Sequence, residues 1–227
     1  MKVKVCGLRE ANNIREVASL GVDYVGLIFW PQSPRYVKMI PSGAGIIPDS
    51  ASLSPATRHL SPLTVGVFVN PTAQDVITRV VSYGLDIVQL HGHETPTLIR
   101  NLRRTLPGVQ FWKAISVEDR DSVATYRAYE DCVDAFVFDT KCKTVGGSGE
   151  HFDWSVLQTY DGERPFLLSG GIGPEDAGRL REAFSVGSGS AAFPSKCIGI
   201  DLNSRFETSP GLKDIPLLRD FLSRLRQ

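Results

Sequence analysis

The sequence lacks the features that mark polymer-binding and membrane-spanning proteins. Its 25 Lys and Arg residues equal its 25 Asp and Glu residues, and it has no basic run and no interleaved aromatic stripe. The electrostatic footprint of a protein that binds nucleic acid or an anionic membrane is therefore missing. No stretch of about 18 apolar residues occurs, and no apolar signal segment precedes the first strand-like run. These absences favour a cytoplasmic protein that acts on a small molecule, with neither nucleic acid nor a membrane as partner.

Cysteines are few and scattered along the chain. Cys6, Cys132, Cys142 and Cys197 form no C-x-x-C motif, and none of them has a pair of histidines nearby. This spacing suggests neither a disulfide framework nor a zinc site. We therefore expect reduced thiols and no bound metal.

Short β-branched or aromatic runs alternate with longer stretches of helical periodicity. The runs that predict strands are Lys2–Val5, Tyr24–Phe29, Thr64–Val69, Ile87–Leu90, Phe111–Ile115, Ala135–Phe138, Phe166–Leu168 and Gly199–Leu202. Apolar spacing near 3.6 predicts helices over Asn12–Leu20, Ala73–Tyr83, Pro96–Leu106, Trp154–Tyr160, Pro174–Phe184 and Ile215–Leu225. Strands that alternate with helices imply parallel pairing, so the pattern predicts an α/β fold, a closed (β/α)8 TIM barrel. No linker is apparent, and we expect one catalytic domain over residues 1–227.

Two units of this pattern are weakly specified. Residues 41–62 carry four prolines together with glycine and serine, so the helix after the second strand is expected to shrink to a short piece near Pro55–His59 within a loop. Between Ser116 and Asp134 the helical pattern is also weak, and Asp121–Tyr129 is the best candidate for a short helix there.

Two ionisable side chains lie where predicted strands end. Cys6 follows the first strand, and Asp139 follows Ala135–Phe138. Residues at the carboxyl ends of barrel strands line the active-site mouth, so the thiol and the carboxylate are a candidate base and a candidate acid. Two proton-transfer groups suggest isomerase chemistry. Taken alone, Cys6 is more typical of a small core residue, and Asp139 is equally typical of a residue that turns or caps the chain.

Glycines follow several of these strand ends. Gly7 comes directly after Cys6, where the missing side chain lets the backbone approach a ligand closely. Lys141–Phe152, which contains Gly146, Gly147 and Gly149, is typical of a lid that excludes water. Gly170 and Gly171 follow the seventh strand, and Asn203 and Ser204 follow the eighth. Barrels frequently bind phosphate with the loops after these two strands.

Arg35 and His91 are two further candidates for substrate contacts. Arg35 lies beyond the second strand in Ser33-Pro34-Arg35-Tyr36, where a guanidinium can clamp a carboxylate through two hydrogen bonds. The alternative for Arg35 is a solvated surface arginine. His91 ends the fourth strand and is expected at the same mouth of the barrel.

Several longer segments occur together in one order between Val3 and Phe221. They are KVCGL (Lys4–Leu8), GLIFW (Gly26–Trp30), SPRYV (Ser33–Val37), GVFVN (Gly66–Asn70), VQLHG (Val88–Gly92), Phe138–Asp139 with Gly146–Gly149, Phe152–Trp154, Ser169–Gly171 and SPGLKD (Ser209–Asp214). In these segments and their order the chain resembles phosphoribosylanthranilate isomerase, the barrel enzyme family of tryptophan biosynthesis.

The resemblance implies an Amadori rearrangement of N-(5-phosphoribosyl)anthranilate to 1-(2-carboxyphenylamino)-1-deoxyribulose 5-phosphate. This aldose–ketose isomerisation needs no metal or organic cofactor, because the iminium intermediate is itself the electron sink. The resemblance also implies roles for matching residues: Cys6 as general base, Asp139 as general acid, Arg35 on the anthranilate carboxylate, His91 near the substrate, and Gly170, Gly171 and Ser204 in the phosphate-binding loops. A thiol with a pKa of about 8.5 needs a lowered pKa to act as a base at neutral pH.

One position departs from the family pattern, and two other functions stay open. Arg205 lies where many relatives have glycine, so it either alters the backbone approach to phosphate or adds a charged contact.

The aminoimidazole carboxamide ribotide isomerase of histidine biosynthesis performs analogous chemistry on a barrel, but it uses paired aspartates, whereas this first strand ends in Cys6. The non-enzymatic alternative is a barrel that binds sugar phosphates as a sensor. The sequence leaves monomer and homodimer equally open.

Overall fold

A computed structural model describes residues 1–38, 61–140, 154–185 and 193–227. Its eight parallel strands form a closed barrel in chain order, and the last strand pairs back to the first. The strands are β1 (Lys2–Leu8), β2 (Tyr24–Ile28), β3 (Leu63–Phe68), β4 (Ile87–Leu90), β5 (Gln110–Val117), β6 (Ala135–Thr140), β7 (Phe166–Ser169) and β8 (Cys197–Leu202). The predicted (β/α)8 barrel is confirmed.

The strands that carry Cys6 and Asp139 run further than their sequence patterns predict. Leu8 of β1 still pairs with Leu27 of β2, and Asp139 of β6 pairs with Ser116 on one side and Ser169 on the other. Both strands continue because their residues remain hydrogen-bonded and largely buried up to the end. The expectation that Cys6 and Asp139 follow their strands is therefore wrong, and both lie inside strands near the carboxyl ends.

Helices cover the outside of the barrel. They are α1 (Ala11–Ser19), α2 (Ala73–Tyr83), α3 (Pro96–Thr105), α4 (Arg120–Ala124), α5 (Ala177–Phe184) and α6 (Ile215–Arg226). Local signals explain several of their ends. A reciprocal Thr72–Asp75 capping box begins α2, and left-handed Gly84 ends it. The side chain of Asp214 accepts the Leu217 backbone N–H at the start of α6.

Three predicted helices differ in type or extent. Trp154–Thr159 is a 3-10 helix rather than an α-helix, and its buried Trp154 and Leu157 have the i, i+3 spacing that a 3-10 turn places on one side. A 3-10 turn at Pro174–Asp176 precedes α5. The weak helix predicted near residue 121 is divided into α4 and a 3-10 segment, Thr125–Ala128. The helix predicted near residues 55–59 lies outside the described residues.

The hydrophobic core has two layers, one on each side of the sheet. Side chains such as Val65, Trp112 and Leu167 fill the barrel lumen, whereas Phe136 and Phe166 pack outward against the helices. Because the strands are buried on both faces, their sequences are nearly continuous apolar runs. No helix in the described ranges is long and apolar enough to cross a membrane.

Candidate active site

A cavity of about 260 Å³ opens at the carboxyl ends of the barrel strands. Most of the residues singled out from the sequence line it, together with residues that sequence patterns did not single out. The lining residues that carry chemistry are Cys6, Gln89, His91, Asp139, Gly170, Gly171, Asp201, Asn203, Ser204 and Arg205. The barrel thus brings the thiol of β1, the carboxylate of β6 and the glycine pair after β7 to one small-molecule site.

Cys6 points into the lumen and is 5% exposed. A glycine on the neighbouring strand makes room for it, since a Cβ at Gly26 would lie 2.8 Å from the Cys6 sulfur. The Lys4 ammonium, two residues earlier on the same strand face, acts to lower the pKa of this thiol. Burial raises the pKa of the Cys6 thiol, and the opposing effect of Lys4 does not cancel it. The direction is opposite to the lowered pKa expected of a base at neutral pH.

Lys4 and Asp201 form an ion pair inside the barrel. Lys4 Nζ lies 2.9 Å from Asp201 Oδ2, with side chains 0% and 5% exposed. Burial raises the pKa of Asp201, although Lys4 opposes it. Burial lowers the pKa of Lys4, but attraction to Asp201 and Cys6 outweighs this effect and the net shift is upward. Sequence reasoning missed this pair. The signal that could have found it is that β1 and β8, which are otherwise largely apolar, each contain a charged residue.

Asp139 faces a histidine across the cavity. His91 Nε2 lies 3.3 Å from Asp139 Oδ2, and both side chains are partly exposed. The loop that carries His91 is fixed by a buried pair behind it, in which Lys113 Nζ lies 3.2 Å from Glu94 Oε2. Lys113 also donates to the Gly92 carbonyl at 2.8 Å, and Glu94 accepts the Gly92 backbone N–H at 3.0 Å. His91 is therefore held next to the carboxylate.

Arg35 lies beside the cavity and binds a carboxylate of the protein itself. Its Nε and Nη2 atoms are 2.9 Å and 2.7 Å from Glu207 oxygens, and Lys213 Nζ binds Glu207 Oε1 at 2.7 Å. Since Glu207 occupies the Nε–Nη2 edge, a second carboxylate can reach only the Nη1–Nη2 edge. Glu207 and Lys213 belong to a hairpin of β9 (Glu207–Ser209) and β10 (Leu212–Lys213), which the sequence pattern did not predict.

Gly7 provides the space in which Arg35 packs. Its φ is +75°, and a Cβ there would lie 2.5 Å from Asn203 Oδ1 and 2.6 Å from Arg35 Cδ. Any other residue would be strained and would also collide with both neighbours. Gly7 therefore lets Arg35 and Asn203 approach the end of β1 next to Cys6.

The glycine pair after β7 turns the chain where it lines the cavity. Gly170 and Gly171 have φ values of +96° and +64°, and a Cβ at Gly170 would lie 2.0 Å from the Thr140 carbonyl oxygen. Arg205 follows Ser204 on the same side, and its Nη2 lies 2.5 Å from Glu175 Oε1. This part of the cavity combines tight backbone turns with a guanidinium, an arrangement suited to an anion.

Two expectations from the sequence fall where the structure gives no description. The glycine-rich segment Lys141–Phe152 and Cys142 lie outside the described residues. Among the described cysteines, Cys6, Cys132 and Cys197 are free and buried. No group of three or more His, Cys, Asp or Glu side chains in the described ranges is arranged to hold a metal ion.

The fold and the site together define a barrel enzyme of the sugar-phosphate isomerase class. Comparison with known proteins gives the family. The model of the N-(5'-phosphoribosyl)anthranilate (PRA) isomerase family matches residues 3–224. The chain therefore belongs to this family, and it is an isomerase of the aldose–ketose type.

Individual relatives are similar to this chain over nearly its whole length. The N-(5'-phosphoribosyl)anthranilate isomerase of Parabacteroides distasonis is 42% identical over 225 residues, which cover 99% of this chain and 93% of that protein. That of Phocaeicola vulgatus is 37% identical, covering 100% of this chain and 98% of the relative. The crystal structure of the Thermotoga maritima enzyme is 29% identical, with a TM-score of 0.77 over 100% of this chain and 98% of its own.

Proposed function

We propose that Cys6 is the general base and Asp139 the general acid in the isomerisation of N-(5'-phosphoribosyl)anthranilate, a step of tryptophan biosynthesis. The observation that carries this assignment is that the two groups, on β1 and β6, line one cavity together with the glycine pair after β7. An acid and a base at one small-molecule site are what a proton-shifting isomerisation needs.

The reaction begins with opening of the sugar ring. Asp139, in its protonated form, donates a proton to the ring oxygen, and the bond between this oxygen and C1 breaks. The lone pair of the anthranilate nitrogen forms a double bond to C1 and leaves an iminium. His91 Nε2, 3.3 Å from Asp139 Oδ2, lies within hydrogen-bonding reach of this carboxyl group.

The second step moves a proton from C2. The Cys6 thiolate removes it, the electron pair of the C2–H bond forms a C1–C2 double bond, and the iminium nitrogen recovers its lone pair. The resulting enol loses its hydroxyl proton and gains a proton at C1, which gives the ketone. No step draws on a metal or an organic cofactor, because the iminium nitrogen accepts the electron pair.

Binding groups lie on both sides of the reacting carbons. The Nη1–Nη2 edge of Arg35 receives the anthranilate carboxylate, with Gly7 and Asn203 framing it. The phosphate lies at the opposite end, against Gly170, Gly171 and Ser204. Arg205 adds positive charge at this end, although Glu175 offsets part of it.

The substrate class, assembly and location complete the proposal. One solved relative is phosphoribosyl anthranilate isomerase in complex with reduced 1-(o-carboxyphenylamino)-1-deoxyribulose 5-phosphate; it is 28% identical to this chain, with a TM-score of 0.75 over 100% of this chain and 98% of its own. We propose that this cavity binds a substrate of the same sugar-phosphate class. Assembly as a monomer or homodimer and a cytoplasmic location stay predictions.

A turnover assay tests the function. The purified protein is added to freshly generated phosphoribosylanthranilate, and the loss of substrate fluorescence is followed. Rapid consumption with formation of the carboxyphenylamino-ribulose phosphate supports the proposal. Consumption of only the aminoimidazole carboxamide ribotide substrate points instead to the histidine-pathway reaction, and binding without turnover of either compound points to a sugar-phosphate sensor.

A further inference from the structure

Two buried oxygen atoms in the cavity wall have no hydrogen-bond partner among the described residues. They are Gln89 Oε1 and Asp201 Oδ1, on residues that are 2% and 6% exposed. Both residues line the cavity that also contains Cys6 and Asp139. Buried acceptors are nearly always paired in folded proteins, so two unpaired ones at a single site call for an explanation.

The positions of these two acceptors are fixed by the barrel. The second oxygen of Asp201 is bound to Lys4 Nζ at 2.9 Å, which leaves Oδ1 as the oxygen without a donor. Gln89 lies in β4, where its register pairs it with Val67 and Trp112. Strands β4 and β8 are opposite each other in an eight-stranded closed barrel. The two acceptors therefore border the cavity from opposite walls.

The two unpaired oxygen atoms determine which chemical groups can bind to them. Both oxygens are acceptors, so each needs an O–H or N–H donor. A phosphate dianion or a carboxylate offers none. A sugar chain offers hydroxyl groups on successive carbons, and it fits between a carboxylate-binding end and a phosphate-binding end.

We propose that Gln89 Oε1 and Asp201 Oδ1 accept hydrogen bonds from hydroxyl groups on the sugar portion of the substrate. The identity of this substrate rests on the proposed function, whereas the demand for hydroxyl donors rests on the two unpaired oxygens. Gln89 and Asp201 thereby hold the carbon chain in place between Cys6 and Asp139.

Gln89→Met tests the first half of this inference, because methionine has a similar length and replaces the carbonyl oxygen with a thioether that accepts only weakly. Removing Gln89 Oε1 breaks no hydrogen bond among the described residues, so the variant should keep the wild-type urea midpoint of unfolding while its kcat/KM falls about tenfold to hundredfold. The matched control is Gln110→Met, since Gln110 Oε1 already accepts the Trp112 indole N–H at 3.2 Å and Gln110 is exposed. The control should keep wild-type kcat/KM. A lower midpoint for Gln89→Met, or an unchanged kcat/KM, overturns the role of Gln89.

Binding of two probes tests both acceptors and separates this inference from the proposed function. One probe is reduced carboxyphenylamino-deoxyribulose phosphate, and the other has a plain alkyl chain between its amine and phosphate. The wild type should bind the first about tenfold to hundredfold more tightly. Gln89→Met and the double variant Lys4→Met/Asp201→Leu should each lose part of this preference. Equal preference in all three proteins contradicts the inference even when the wild type is an active isomerase. A wild type that keeps the preference, with the expected losses in the two variants, but lacks turnover contradicts only the assigned reaction.

Discussion

Lys4 Nζ lies 2.9 Å from Asp201 Oδ2 inside the barrel, and the Lys4 ammonium acts to lower the pKa of the Cys6 thiol. The neighbours of the thiol assigned as the base therefore include a buried ion pair and are not all apolar. The lysine favours the thiolate and the aspartate disfavours it, and burial disfavours it more strongly than either. The reactivity of Cys6 is therefore set by burial and by two neighbouring charges, Lys4 on β1 and Asp201 on β8.

Removing one partner of this pair should destabilise the fold. Lys4→Met leaves the Asp201 carboxylate buried without its cation, which we expect to lower the free energy of unfolding by about 3–5 kcal/mol. The pKa of Asp201 is already raised by burial, so the carboxyl retains its proton in the folded state at a pH where the unfolded chain has lost it. Stability is therefore lost as the pH rises through the folded pKa, and the deficit of Lys4→Met should be larger at pH 7 than at pH 4. Urea unfolding at both pH values measures it.

The double variant Lys4→Met/Asp201→Leu is the control for this prediction. It replaces both charges with apolar side chains and should recover most of the lost stability. A double variant that is no more stable than Lys4→Met would show that the pair contributes through packing alone.

The raised pKa of Cys6 predicts an alkaline shift in activity. The acidic limb of kcat/KM against pH reports the loss of the Cys6 proton, and it should lie above the value of about 8.5 typical of a free thiol. Because the Lys4 ammonium lowers the pKa of Cys6, Lys4→Met should move this limb to still higher pH. An acidic limb near pH 6 that ignores Lys4→Met would remove Cys6 as the titrating base.

Gly170 and Gly171 offer a matched pair of substitutions. Both have positive φ, so alanine at either position costs about 1–2 kcal/mol from the left-handed backbone. At Gly171 nothing lies within 4 Å of an added Cβ, whereas at Gly170 the Thr140 carbonyl oxygen would lie 2.0 Å away. We expect Gly170→Ala to lower the free energy of unfolding by about 3 kcal/mol or more, since overpacking adds to the backbone strain. If Gly170→Ala and Gly171→Ala lose equal free energy of unfolding in urea, the end of β7 shifts to accommodate the added Cβ without further cost.

Arg35 should matter only for ligands that carry the carboxylate. Arg35→Ala should raise KM about tenfold to hundredfold, as expected for the loss of a charge-assisted bidentate contact. Arg35→Lys should not restore the wild-type value, because an ammonium cannot bind Glu207 and the substrate through two planar edges. Inhibition by product analogues with and without the carboxyl group measures the effect. Equal weakening of both analogues would mean that Arg35 only supports the hairpin that carries Glu207.

The barrel could be predicted from the sequence because its strands are apolar on both faces. Runs such as Ile87–Leu90, which is a strand with those bounds in the structure, alternate with helices whose ends carry clear capping residues. Strand ends were less predictable, because β1 and β6 continue through Cys6 and Asp139 by pairing with their neighbours. That pairing depends on other strands and leaves no local signal.

The candidate site was predictable in its strand-end residues and not in the groups that surround them. Cys6 and Asp139 were found because ionisable residues at barrel strand ends are conspicuous. Lys4 and Asp201 were missed because their partnership spans 197 positions. Glu207 was missed because β9 has only three residues, too few to show a period. The hydrogen bonds between Glu207 and Arg35 are tertiary contacts, which the sequence of a single segment does not predict.

The most direct test of the two-group mechanism compares steady-state kinetics of the wild type, Cys6→Ser and Asp139→Asn. Both variants keep nearly the same volume, and circular dichroism and the urea midpoint check that the fold is retained. The account predicts that the wild type converts phosphoribosylanthranilate and that each variant loses about 100-fold to 10,000-fold in kcat, the usual contribution of a positioned acid or base. A folded Cys6→Ser or Asp139→Asn protein with near-wild-type kcat would contradict the account at that residue.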